Sequence, residues 1–155
     1  MKVLPARSRT PGKKTAIVGI GHPLRGDDAI GPSIIDRLIS SHASANFTLI
    51  DAGAVPENCT GTLRQLAPSL VLFIDAAQMD LPPGSIELFH YTQLGSVPVA
   101  THSIPFAMLC QYLVDEIGCD IWVLGIQPAQ NDLLTGTSPE VNRAAGEIIH
   151  FLIET

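Results

Sequence analysis

The stretch Ala16–Gly31, AIVGIGHPLRGDDAIG, decides how this 155-residue chain is read. Ala16 to Ile20 is an apolar run suited to a buried strand, and Gly19, Gly21 and Gly26 then break the pattern. Beyond them Ile30, Ile34, Ile35, Leu38 and Ile39 recur at helical spacing. A strand, a glycine-rich turn and a helix form the first unit of an α/β sheet. The turn has the outline of a phosphate loop without its chemistry. A dinucleotide fingerprint needs G-x-G-x-x-G, but here four residues, Pro23 among them, separate Gly21 from Gly26. A P-loop carries Lys and Ser or Thr after its last glycine, where this chain has Asp27-Asp28. Two carboxylates would repel a phosphate by about 3 kcal/mol per charge pair at ~6 Å and an effective dielectric of ~20. The loop therefore argues against a nucleotide. Asp27 suits the cap of the following helix, while Asp28 exceeds what a cap requires.

The same alternation continues along the chain. NFTLID, SLVLFIDA and DIWVLGI are strand-like, and the second of these is apolar without interruption, as a sheet covered on both faces requires. SIELFHY follows a Pro-Pro-Gly turn and reads as an edge or antiparallel strand. CTGTLRQLA supports a short helix at best. Phe106, Leu109, Cys110, Leu113, Val114 and Ile117 form a helical stripe that Gly118 ends. A last stripe runs from Val141 to Leu152 behind Ser138-Pro139, read as a cap and first-turn proline. The expected fold is an open α/β sheet with helices on both faces and ligand chemistry at the strand C-termini.

Residues 1–14 hold five of the nine Lys and Arg and no apolar core, and read as a flexible basic tail rather than a secretory signal. Residues 15–155 read as a single α/β domain with four basic residues against all fifteen acids, a net charge near −11. Such a body repels nucleic acid and favours cations or basic partners. No stretch is long enough to cross a membrane as a helix. Cys59, Cys110 and Cys119 are odd in number, lack CxxC spacing, and read as buried or idle thiols of a cytoplasmic protein.

Three strand ends carry ligand-type side chains. Asp28 follows the first, Asp75 ends LVLFIDA, and His102 precedes the third helix. Two carboxylates and an imidazole suit a borderline divalent cation such as Zn²⁺ or Ni²⁺, provided that the topology brings them to one rim. Each also has a plainer role open to it, as turn acceptor, cap or core residue. Asp51 and Gly53 end the second strand.

The segments GIGHPLRGDDAIGP, LIDAGAVPEN, FIDAAQMDLPPGSI, THSIPFAMLCQYL and LGIQP resemble, in the same order, the motifs of the nickel-iron hydrogenase maturation endopeptidases. The resemblance covers about residues 16–153 and is closest to the branch that processes the large subunit of the formate-linked hydrogenase. It implies a three-layer fold: a twisted, mostly parallel five-stranded sheet between helices, with SIELFHY as the one antiparallel strand. It implies an acid-type endopeptidase that removes a C-terminal extension from the large-subunit precursor once nickel is in place. The family's metal-recognising acid, acid and histidine fall on Asp28, Asp75 and His102, and the first two are the candidate catalytic groups. Asp51, Gly53, Asp27 and His22 are then supporting or substrate-facing residues. The nickel belongs to the substrate, so no permanent cofactor is expected, although other divalent cations could occupy the rim. The expected partner is the precursor, and the expected state a monomer. Two positions depart from the family pattern: Ala29 stands where a glycine is usual, and His22 where an asparagine is usual.

No serine or cysteine nucleophile is evident, which leaves water activated by a carboxylate or by a metal. Two other readings stay open on the residues alone. One is a metal-dependent hydrolase of a small substrate; the other is a non-catalytic nickel-binding assembly module.

Overall fold

A computed structural model describes residues 14–41, 47–95 and 103–154. The elements run β1 (Thr15–Ile20), α1 (Ile30–Ser40), β2 (Thr48–Gly53), α2 (Thr60–Leu66), β3 (Leu70–Ala76), β4 (Ile86–His90), α3 (Ser103–Ile117), β5 (Asp120–Ile126) and α4 (Pro139–Glu154). The five strands form one sheet in the order β2-β1-β3-β5-β4. Pairings among β2, β1, β3 and β5 are parallel, and β4 pairs antiparallel to β5. The expected mostly parallel sheet with SIELFHY as its antiparallel edge is therefore the observed one.

The apolar runs explain the layering. Every residue of β1 is buried, as are six of the seven in β3, because both sit between two layers of helix. Side chains alternate across the sheet with period two. Ile17, Leu72, Ile74, Leu124 and Ile126 face the layer of α1 and α4. Val18, Val71, Phe73, Ile121 and Val123 face the layer that holds Leu63 of α2 and Leu109, Cys110 and Leu113 of α3. Ile30, Ile34, Ile35 and Leu38 of α1 are fully buried. Ile39, expected on the same stripe, is 52% exposed, since it falls at the edge of that helical face.

This topology makes a crevice. From β1 the chain passes through α1 to β2 on one side, then through α2 on the opposite sheet face to β3 on the other. The C-terminal ends of β1 and β3 are thus neighbours whose outgoing segments diverge, the condition for a ligand site in an open α/β sheet. Gly31 lets α1 start hard against both ends. A Cβ there would lie 2.6 Å from the Ile20 nitrogen and 2.6 Å from the Ile74 carbonyl oxygen.

Candidate functional site

Asp28 lies in a 3-10 turn, Gly26–Ala29, that leads into α1. Its carboxylate accepts a hydrogen bond from the His22 backbone N–H at 2.9 Å, and its own N–H donates to the Arg25 carbonyl at 2.9 Å. The loop can close this tightly because residue 21 is glycine. At φ +150° a Cβ would run into the Asp28 carbonyl oxygen. The strand on the far side of β1 steadies the loop. Asp51 accepts from the Gly53 N–H at 2.8 Å, and the Gly53 carbonyl accepts from the Gly21 N–H at 2.8 Å. Gly53 makes this connection at φ +57°. Asp51 itself is exposed.

Asp75 sits across the crevice at the end of β3, partly exposed at its surface but with the carboxyl set among protein atoms. Burial first, and the nearby Asp28 charge second, push its pKa up to about 8 from 3.8; the Ala76 N–H opposes this only in part. The structure therefore brings Asp28 and Asp75 into electrostatic contact. At neutral pH Asp75 is protonated for most of the time. His102 lies outside the described residues. Among the described residues no three His, Cys, Asp or Glu side chains are grouped to hold a metal ion. His22 is half-buried, and its Nδ1 accepts from the Leu24 N–H at 3.1 Å, so that nitrogen is committed to the loop itself.

The raised Asp75 value has a measurable consequence. Between pH 4 and about 8 the native state keeps a proton that the unfolded chain has lost. Stability contributed by that proton is full below about pH 4 and is lost as pH rises through about 8. Partial exposure screens the effect, leaving at least about 1.4 kcal/mol, the equivalent of one pKa unit. Asp75→Asn should remove this slope. Urea unfolding at pH 4.5 and at pH 8 should show the variant gaining on wild type by at least that amount at the higher pH. A constant difference would mean that native Asp75 is ionised throughout.

Asp27 does not cap α1, contrary to the expectation from the sequence. It lies inside the 3-10 turn rather than ahead of it, and no side chain caps that turn. Its carboxylate is fully buried and turned towards the segment before α4. There it accepts from the N–H groups of Ala129 (2.7 Å), Gln130 (3.0 Å) and Ser138 (2.6 Å), and from the Ser138 hydroxyl (2.9 Å). Ser138 meanwhile receives the Val141 N–H at 3.4 Å, the capping contact of α4. The acid thus secures the start of α4 and holds the Asp28 turn from behind, out of reach of any substrate.

Gln127 is a second organising residue that the sequence reading did not single out, although it lies in the quoted LGIQP segment. Its buried side-chain oxygen accepts from the N–H groups of Met79 (2.7 Å) and Leu81 (3.3 Å), and its amide donates to Gln78 and to the Pro128 carbonyl. The loop leaving Asp75 is held by these bonds. A polar residue at the C-terminal end of an apolar strand was the available signal. The cysteines are all free and buried, and burial pushes Cys59 up to about 11 and Cys110 up to about 12. Neither supplies a thiolate at neutral pH.

Comparison with known proteins agrees with this architecture. The hydrogenase maturation protease family of HycI type matches residues 32–155. Over 149 residues the chain is 33% identical to a Methanocaldococcus jannaschii protein assigned as a hydrogenase maturation protease, covering 92% of this chain and 88% of that one. It is 33% identical over 110 residues to the hydrogenase 3 maturation protease of Escherichia coli K12, covering 70% and 69%. The crystal structure of the NiFe hydrogenase maturation protease HycI from Thermococcus kodakarensis superposes with a TM-score of 0.82 at 28% identity, covering 93% of each chain.

Proposed function

Because this chain belongs to the hydrogenase maturation protease family, we propose that it removes a C-terminal extension from a nickel-iron hydrogenase large-subunit precursor after nickel insertion, and that Asp28, Asp75 and His102 form the rim that senses the substrate's nickel. The observation that supports this reading is the pairing of two acids at the divergence of β1 and β3, with the pKa of Asp75 raised first by burial and second by the Asp28 charge. A protonated Asp75 repels Asp28 less than a second charge would, yet it ionises once a cation arrives. A precursor that brings Ni²⁺ exchanges that cation for the Asp75 proton and seats its scissile bond. A precursor without nickel offers no such exchange and binds weakly. This is specificity by differential affinity, and it prevents premature cleavage.

As a protease without an available thiolate, the chain needs an activated water. In the nickel-loaded complex one carboxylate of the Asp28–Asp75 pair takes a proton from that water as it attacks the scissile carbonyl, and then gives the same proton to the leaving amine as the C–N bond breaks. The proposed setting is the cytoplasm, with the precursor as partner and the enzyme monomeric. No helix among the described residues is long and apolar enough to cross a membrane.

The test uses purified precursor in nickel-loaded and nickel-free forms at pH 6, 7 and 8, read by the mass of the product. Loaded precursor should be cut at least about tenfold faster. Its binding should weaken towards pH 6, because imidazole coordinates only when neutral and titrates near ~6.5. Equal cleavage of both forms removes the gauging mechanism.

A further inference from the structure

Next to the acid pair the chain builds a feature that the reaction just described does not use. Leu24, Leu133 and Leu134 are 52%, 59% and 77% exposed. They come from two segments far apart in sequence that are joined edge to edge. Arg25 and Leu133 form an antiparallel bridge, and the Leu134 N–H donates to the Leu24 carbonyl at 2.7 Å. The joint is tight. Gly26, at φ +50°, would place a Cβ 2.8 Å from both the Gln130 carbonyl oxygen and the Thr135 hydroxyl. Asp27 fixes the other end of the same segment through Ala129 and Gln130. The three leucines therefore stand on a braced lip, and Asp28 is bonded directly to its inner side through the Arg25 carbonyl.

Leu134 is the informative member. Its φ of 61° is left-handed, a conformation that suits glycine or asparagine and strains a leucine. Its side chain is also the most exposed of the large apolar residues described. Folding gains neither backbone ease nor apolar burial from a leucine at this position. Strain kept at an exposed apolar residue beside a reactive site indicates a binding role.

We propose that this leucine lip is the docking surface for an apolar segment of the precursor polypeptide, gripped beside the scissile bond while the nickel end meets Asp28 and Asp75. The inference rests on the precursor-processing reading. The occupant follows from position. A protease must hold its chain within a few residues of the cut to align the peptide with the acids, and the lip is covalently and hydrogen-bond continuous with Asp28. Leucines in an otherwise acidic body select an apolar stretch there rather than a charged one.

Leu134→Asn separates binding from folding, because asparagine tolerates the left-handed backbone. The variant should melt at the same or a higher temperature than wild type. Its KM for nickel-loaded precursor should rise about tenfold, with turnover restored at saturating precursor. Leu133→Thr should raise KM in the same direction, and the double variant further. A KM within twofold of wild type for all three overturns the lip while leaving precursor processing intact. If wild type cuts no precursor, the processing reading falls instead. Calorimetric titration of precursor into wild type and Leu134→Asn then reads the lip directly: weaker binding by the variant supports it, and equal binding overturns it. A wild-type dimer in sedimentation that Leu134→Asn dissolves assigns the face to a second copy, and also overturns the proposal.

Discussion

Asp28→Ala is expected to lower cleavage of nickel-loaded precursor by about 10³-fold or more while the protein stays folded. The side chain is half-buried and takes one hydrogen bond, from the His22 N–H. Its loss leaves that N–H beside solvent, at a cost of about 1 kcal/mol. Removing a negative charge from the neighbourhood of Asp75 acts in the opposite direction, since Asp28 is one of the two causes of the raised Asp75 value. Stability should therefore move by no more than about 1 kcal/mol. Under the proposed mechanism, function loses both a proton acceptor, a role that contributes about 10²–10⁴-fold, and one of the two carboxylates that would meet the substrate's nickel. The paired measurements are cleavage by mass and unfolding by urea. A variant that unfolds under conditions where wild type is native would make Asp28 a structural residue. Asp51→Ala should reduce cleavage less, because Asp51 acts two hydrogen bonds away through Gly53 and Gly21.

The adjacent substitution should show the reverse pattern. Asp27→Ala removes a fully buried carboxylate that accepts four hydrogen bonds. Three N–H groups and the Ser138 hydroxyl lose their acceptor, and a small cavity replaces the carboxylate. Each unsatisfied buried donor costs about 1–3 kcal/mol, and the ends of the 129–138 segment can recover part of this through water. A net loss of about 3–5 kcal/mol is expected, a large share of the stability of an ordinary domain. Asp27→Asn keeps one acceptor oxygen and should fall between. The urea midpoint of the series should rank wild type, Asn, Ala. Equal midpoints would mean that the brace adds nothing to the folded state. Two neighbouring aspartates would thus be separated by experiment, Asp28 costing catalysis and Asp27 costing the fold.

The fold was legible because its strands announce themselves. β1, β3 and β5 are apolar on both faces, a pattern that only a covered parallel sheet demands, and Gly118 and Ser138-Pro139 mark helix ends by their own chemistry. Asp28 and Asp75 could be marked as candidates because one lies on the loop that leaves β1 and the other near the C-terminal end of β3, where ligand sites collect in open α/β sheets. The role of Asp27 could not be read, since a buried acceptor is defined by its donors, and these lie over a hundred residues further on. Ile39 was misplaced for a smaller reason of the same kind: helical spacing marks a stripe, but the neighbouring elements set its width. The left-handed turn at Leu134 has no glycine or asparagine to signal it. Gln127 looks like any polar residue after a strand until the loop it holds is seen.

The long reach of Asp27 bears on how the enzyme comes into being. Its donors lie 102 to 111 positions downstream, so a chain leaving the ribosome carries its reactive turn long before the brace for that turn exists. Domains emerge amino end first, and contacts between remote positions close last. A nascent or prematurely terminated product lacking residues 129–138 would carry both acids, with the Asp28 turn left without its brace. If Asp28 and Asp75 act as proposed, competence arrives only once residues 129–138 have been made, and a copy that stops short of them is expected to be silent rather than an ungoverned peptidase.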